Sequence, residues 1–383
     1  MRGALVIAGG PDFASLPVGG KPELFREVEQ LHRCGCREVH LLLLNPGLFS
    51  PASETTGEKE TAFPHEASRR ELTELYPFLS VHTPGAGLWT ETIARLLEEK
   101  EGESLLLMQG GTVVQEEELL LFGQYASELM PDNYIGITAP AAAGKADSTE
   151  SLVCLQKDRM RVSQIALPNQ QKVPGENRKS AGTFSGMCCL FSTIVPTLRE
   201  ISRTLPAEKP VHGQEVLALL TRLVPQQTEP FVAYPFSQAL HLCRKEQAAE
   251  AERLTEAPFP LLLIEPETAE NEASAPLPPQ TPPAQNGLFP RIAYELRQRN
   301  QPCICSSEAH FIDLPFFFPT CFYAGSNPEV QELLDILAEE GCQVITPAAL
   351  RLEEYLPTAK SMEEAIAKSL IDRCRPQGNQ QTM

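Results

Sequence analysis

Basic residues are scarce in this 383-residue chain: Lys and Arg total 32 against 50 Asp and Glu, a formal charge of −18. That shortfall removes the basic footprint on which broad nucleic-acid or anionic-membrane binding depends. It leaves room for a local phosphate pocket built from backbone N–H groups. Long hydrophobic runs are also lacking. The longest, residues 41–44 and 258–264, fall far short of the ~20 residues that cross a bilayer, so no membrane span is expected. The N-terminal MRGALVIAGGPDF passes from a short apolar stretch into Gly-Gly rather than a small-residue cleavage site. It reads as no signal peptide, and a cytoplasmic location is expected.

A regular cysteine framework is missing too. Eleven cysteines are an odd number without even spacing, which is a poor disulfide pattern. Cys34-Gly-Cys36 and Cys303-Ile-Cys305 lack the second half-site of a zinc knuckle. Adjacent Cys188 and Cys189 point to opposite faces of a strand. The cysteines therefore read as small buried side chains in a reducing compartment. No Walker P-loop, H-E-x-x-H, EF-hand or G-x-S-x-G stretch occurs, and no repeat of solenoid period. Ordinary apolar (42%) and charged (21%) fractions exclude wholesale disorder.

What is present is an alternation of strands and helices. Residues 4–8 form a β-prone run ending in Gly9-Gly10, and a helix from Pro22 places Leu24, Phe25, Val28 and Leu31 on one face before Gly35. A buried strand follows at 39–44. A second cycle runs from Val81-His82 through a Pro/Gly turn into a helix at 88–100 and a strand at 104–108. Such alternation predicts an α/β fold with a mostly parallel sheet and helices on both faces. Further strands are expected at 151–156, 161–167, 187–191 and 230–235, with helices at 213–223 and 244–255. Residues 265–287 carry six prolines, four glutamates and no basic residue, the composition of a linker or a disordered insertion. The expected division is residues 1–264, the Pro/Glu-rich segment 265–287, and a C-terminal region 288–383 that either stands apart or completes the first domain. In that region helices are expected at 328–340 and 362–373 and a strand at 342–346.

Five stretches in order resemble the sugar-phosphate nucleotidyltransferase family, the nucleotide-sugar pyrophosphorylases. Leu5-Val6-Ile7-Ala8-Gly9-Gly10 stands where the family has its opening strand and diglycine. Gly20-Lys21-Pro22-Glu23-Leu24 is similar to the start of the helix after "K-P-M-L". His82-Thr83-Pro84-Gly85-Ala86-Gly87 resembles the turn that contacts the base. Leu105-Leu106-Leu107-Met108-Gln109-Gly110-Gly111-Thr112 resembles the strand ending "L-N-G-D-T", and Ser185-Gly186-Met187-Cys188-Cys189-Leu190-Phe191 the strand lining the sugar. The resemblance spans about residues 1–257. It implies a Rossmann-like sheet of nucleotide-diphospho-sugar transferase type with a small C-terminal α/β extension. It further implies nucleotide contacts at Gly9, Gly10, Lys21, Gly85, Gly87, Gly110 and Gly111.

The same resemblance implies transfer of a nucleotidyl group to a sugar phosphate, with an Arg, a Lys and two Asp that hold Mg²⁺. Such transfers rest on charge neutralisation and in-line positioning. The charged positions are departed from one by one. The glycine loop, Gly9-Gly10-Pro11-Asp12-Phe13, has no Arg, and Pro11 removes an N–H. Lys21 fits the later "G-K-P" better than the catalytic lysine. The first metal Asp is Gly111, and Ala166-Leu167 stand in for a Glu-Lys pair. The second metal Asp corresponds either to His241 or, with the Pro-rich segment as an insertion, to Asp313, the one acidic candidate left.

The expectation is a catalytically degenerate nucleotidyltransferase-like protein with a regulatory or scaffolding role. It would keep a nucleotide or nucleotide-sugar pocket, pair with an active homologous subunit or itself, and use Mg²⁺ only if active. Two alternatives stand beside it. One is an active divergent enzyme whose Glu23, Asp12 and Asp313 converge on a metal with Arg26 or Arg178 supplying charge. The other is a pure protein-interaction subunit.

Overall fold

The computed structural model describes residues 3–8, 17–18, 21–44, 73–82, 89–99, 102–129, 132–138, 151–156, 159–166, 181–204, 215–227, 230–242, 245–258, 260–267, 287–313 and 318–374. In chain order the first unit has strands β1 (Gly3–Ala8), β2 (Glu38–Leu43), β3 (Leu79–His82), β4 (Ser104–Gln109), β5 (Thr112–Val113), β6 (Tyr134–Thr138), β7 (Leu152–Leu155), β8 (Val162–Ala166), β9 (Ala181–Phe191), β10 (Val232–Pro235) and β11 (Leu240–His241). Its helices are α1 (Glu23–Arg33), α2 (Trp89–Glu98), α3 (Glu116–Gln124), α4 (Val195–Thr204), α5 (Glu215–Leu223) and α6 (Ala248–Thr255).

The main sheet runs β8-β7-β9-β4-β1-β2-β3, with β6 and β10 continuing from β9. Its centre, β4-β1-β2-β3, is parallel, whereas β9 lies antiparallel to β4, β6 and β7. The expected mixed α/β sheet is thus observed. β1 and β4 are buried at every position, as strands covered on both faces must be. This explains the unbroken apolar runs. Gly35 closes α1 in a left-handed conformation (φ +89°), and the Cys36 amide reaches back to the Leu31 carbonyl at 3.1 Å.

The C-terminal part folds into a second, four-stranded sheet of its own. It contains β12 (Leu261–Glu265), β13 (Cys303–Ser307), β14 (Thr320–Tyr323) and β15 (Gln343–Ile345) in the order β13-β12-β14-β15, all parallel. Its helices are α7 (Leu288–Gln298), α8 (Glu308–Asp313), α9 (Pro328–Glu339), α10 (Leu352–Tyr355) and α11 (Met362–Cys374). One face packs Leu261 and Leu263 with Phe289, Ile292 and Leu370. Leu262 and Ile264, on the opposite face, belong to the large core shared with the first unit. The sequence division at residue 264 therefore cuts through β12, and residues 288–374 add no strand to the first sheet among the described residues. An apolar run bounded by prolines announces a buried strand, but its partner strands lie 40 to 60 residues away and the run does not name them. The segment 268–286 lies outside the described residues.

Candidate functional site

β1 leads to β2 on one side and has β4 on the other, so the sheet order reverses at β1. In open α/β sheets the crevice beyond the carboxyl ends of such strands is the ligand site. Gly110 and Gly111 stand at that end. Gly110 donates to the Ile7 carbonyl at 2.9 Å, and Gly111 adopts φ +87°. Both are buried. Gly9, Gly10, Gly85 and Gly87 lie outside the described residues.

Helix α1 clamps this turn with a polar stripe. Glu23, Glu27 and Gln30 recur at helical spacing and are buried. Glu27 Oε1 accepts from the Gly111 amide at 2.6 Å, and Gln30 Nε2 donates to the Val114 carbonyl at 3.0 Å. Arg26 pairs with Glu23 and Gln30 and reaches the Thr112 carbonyl. Glu27 Oε2 is buried without a hydrogen-bond partner. Burial, reinforced by Glu23, pushes the Glu27 carboxyl well above the usual range despite Arg26 and the backbone amides. Burial thus favours the protonated form of Glu27.

The neighbouring groups are engaged as well. Gln109 donates to Glu215 and accepts from the Val216 amide at 3.0 Å, tying the end of β4 to the start of α5. Thr112 Oγ1 donates back to the Gln109 carbonyl at 2.6 Å. Gly186 lies against Thr112 at φ +91°; a Cβ there would stand 2.3 Å from Thr112 Oγ1. β11 pairs His241 with Thr112, and Leu242 donates to the Gly111 carbonyl at 2.8 Å. Burial lowers the His241 pKa, and its Nδ1 has no partner, so the ring is neutral.

This donor set does not fit Mg²⁺. That ion takes hard oxygen ligands, chiefly carboxylates. Gly111 offers no side chain, Glu27 is buried and bonded to an amide, and His241 presents nitrogen. Among the described residues no group of three His, Cys, Asp or Glu side chains is placed to hold a metal.

Asp313, the acidic candidate, is bonded to the backbone. Its Oδ2 accepts from the Met160 amide at 2.7 Å. Met160 accepts from Ala233 near the start of β10, alongside the start of β6. There Asn133 meets the Phe191 amide, whose residue pairs with Ser104 at the amino end of β4. Asp313 thus serves the end of the sheet away from the crevice. Glu23 is bound to Arg26 at the crevice, so the proposed convergence of Glu23 and Asp313 on one metal is not formed; Asp12 and Arg178 lie outside the described residues. Lys21 is exposed and paired with Glu29 at 2.7 Å. The helix stripe of α1 was missed because polar residues at i, i+4 and i+7 read as a solvated face; its signal was the pair of glutamates opposite a glycine turn.

The second sheet has a comparable end. Its strand order also reverses, at β12, and the carboxyl ends of β12, β13 and β14 gather Glu267, Glu308 and Asn327. Glu308 accepts from the Tyr323 hydroxyl, from the Glu267 amide at 3.2 Å and from Asn327 Nδ2 at 3.5 Å. Elsewhere a cavity of about 150 Å³ opens where the two units meet, lined by Glu250, Arg253, Arg297 and Gln301 among others, away from both sheet ends. No described helix is long and apolar enough to cross a membrane.

No protein-family model matches the chain, and no curated protein matches it in sequence. Among solved structures it is similar to a UDP-glucose pyrophosphorylase complexed with UDP-glucose, at 14% identity over 66% of this chain and 97% of that one, with a TM-score of 0.45. It is also similar to the inositol-1-phosphate CTP transferase from T. maritima (13% identity, 67% and 98% covered, TM-score 0.42). A third is the CTP:phosphocholine cytidylyltransferase from Streptococcus pneumoniae (10% identity, 66% and 99% covered, TM-score 0.44). The chain is similar to these nucleotidyltransferases in fold, and no further. At these scores the strand order described above carries the architecture.

Proposed function

We propose that this chain is a catalytically degenerate nucleotidyltransferase-like protein of nucleotide-sugar metabolism, which retains a nucleotide or nucleotide-sugar crevice and acts by regulation or scaffolding. The observation that carries this reading is the Gly111 turn. Where the resembling enzymes place a metal aspartate, this chain has a glycine whose amide is occupied by the buried Glu27, whose pKa is raised by burial. His241, at the other candidate position, is neutral. Nucleotidyl transfer at such a centre lacks the charge that offsets the developing negative charge on phosphorus oxygens. Losing one such stabiliser alone costs about 10²–10³ in rate.

The expected partner is an active homologous subunit or a second copy of this chain. The test combines a melting-temperature panel of nucleoside triphosphates and nucleotide-sugars, with and without Mg²⁺, and a pyrophosphate-release assay with sugar 1-phosphates. A metal-independent rise in melting temperature with release no higher than the blank is expected, since ligand bound to the native state stabilises it. Mg²⁺-dependent release would overturn the reading in favour of an active divergent enzyme. A flat panel would favour a pure interaction subunit.

A further inference from the structure

Cys321 lies within β14 and Cys342 immediately precedes β15. The strands pair in parallel with Cys321 opposite Val344. Side chains alternate along a strand, so Cys342, two residues before Val344, shares the face of Cys321. Their sulfurs are hydrogen-bonded across 3.3 Å, and both are free thiols. A disulfide brings sulfurs to about 2.0 Å, so they have little more than an ångström to close.

We propose that Cys321 and Cys342 form a reversible redox-modification site, an internal disulfide made by a peroxide and undone by a dithiol, which staples β15 to β14. The two thiols are unequal. The hydrogen bond with Cys321 holds the Cys342 thiol below its ordinary range, whereas the same bond together with burial holds Cys321 well above. Cys342, beside the edge strand and slightly exposed where Cys321 is fully buried, is accordingly the attacking group, since the thiolate is the nucleophile. β15 is only three residues long and at the sheet edge, so local opening there admits a water-sized oxidant at small cost.

The chemistry balances in two steps. The Cys342 thiolate attacks one peroxide oxygen; an S–O bond forms, the O–O bond breaks, and the departing hydroxide takes a proton to become water. Cys321 then attacks the Cys342 sulfenic sulfur; an S–S bond forms, the S–O bond breaks, and the proton lost by Cys321 leaves with the hydroxyl as a second water. Both sulfurs are oxidised and the peroxide is reduced. Zinc would need two further ligands, and no three-residue donor group exists among the described residues.

The experiment treats the full chain with graded hydrogen peroxide and maps its peptides without reduction. A linked pair of peptides carrying Cys321 and Cys342, lost on adding dithiothreitol and accompanied by a higher melting temperature, is expected. In Cys321→Ala a sulfenic acid at Cys342 should accumulate and be trapped by a 1,3-dicarbonyl probe. In Cys342→Ala neither the link nor a trapped Cys321 should appear. Oxidation of other cysteines in the wild-type chain without the 321–342 link overturns the proposal, whether or not the variants fold.

Discussion

At the carboxyl end of the first sheet Glu27 gives one oxygen to the Gly111 amide and keeps the other without a partner, whereas at the carboxyl end of the second sheet Glu308 engages both oxygens, with Tyr323, Glu267 and Asn327. Both ends lie where a doubly wound sheet would hold a ligand, and at each a carboxyl from the chain itself accepts from a backbone amide. The difference teaches that a carboxyl at such an end can have its hydrogen bonds complete or incomplete. Glu308 closes its own hydrogen bonds; Glu27 leaves an unmet oxygen, and burial raises its pKa.

The sharpest way to break this comparison is a methyl group at each end. Gly186→Ala forces a Cβ into Thr112 at positive φ and should lower unfolding free energy by about 3 kcal/mol in a urea titration. Gly325→Ala meets Tyr323 and Glu308 side-chain ends, 2.5 and 2.6 Å from the new Cβ, which can shift. Its cost should be about 1–2 kcal/mol. Equal losses would mean that the two ends are packed alike.

The pH dependence follows from buried acids in the first unit. Glu118, bonded to the Ser237 amide and hydroxyl, is pushed up by burial to about 7, and Glu27 also rises. A folded-state pKa above the unfolded value of 4.5 means that the folded protein binds the extra proton. That stability is fully present below pH 4.5 and fades as pH rises through 7. For Glu118 it amounts to about 3 kcal/mol. Glu118→Gln should flatten the stability profile between pH 5 and 8 (about the window set by those two values); an unchanged slope would show that its proton does not matter.

Neutral amides sharpen the contrast further. Glu27→Gln keeps an acceptor for Gly111 and should change stability by less than about 1 kcal/mol at neutral pH. Glu308→Gln turns one of two accepting oxygens into a donor and should cost about 2 kcal/mol. Thermal melts of both variants decide it, and a larger loss at Glu27 would reverse the assignment of the complete and incomplete ends. Smallest is Lys21→Ala, which removes an exposed pair with Glu29 and should shift unfolding by about 0.5 kcal/mol or less.

Much of the fold was legible in the chain. Residues 4–8, 39–44 and 104–108 are apolar runs because their strands are covered on both faces, and Gly35 marked the end of α1 because its φ suits glycine. Helix α3 and strand β6 were not foreseen: Glu116, Glu117 and Glu118 open α3 as an acidic run, and Gly136 interrupts the β-prone pattern of β6. Gly110 and Gly111 follow β4 at the carboxyl end of the first sheet. The motif-like setting of Asp313 says nothing of the Met160 amide that it meets 153 residues away.

Periodicity and glycine positions, being local, were enough to determine the alternating strands and helices. Only the tertiary structure decided that β12 leaves the first sheet for a second one, and that a polar stripe on α1 turns inward to hold Gly111. Strand partnership and the protonation of a buried acid depend on groups far apart in the chain, and their energies exist only once folding has brought those groups together and excluded water.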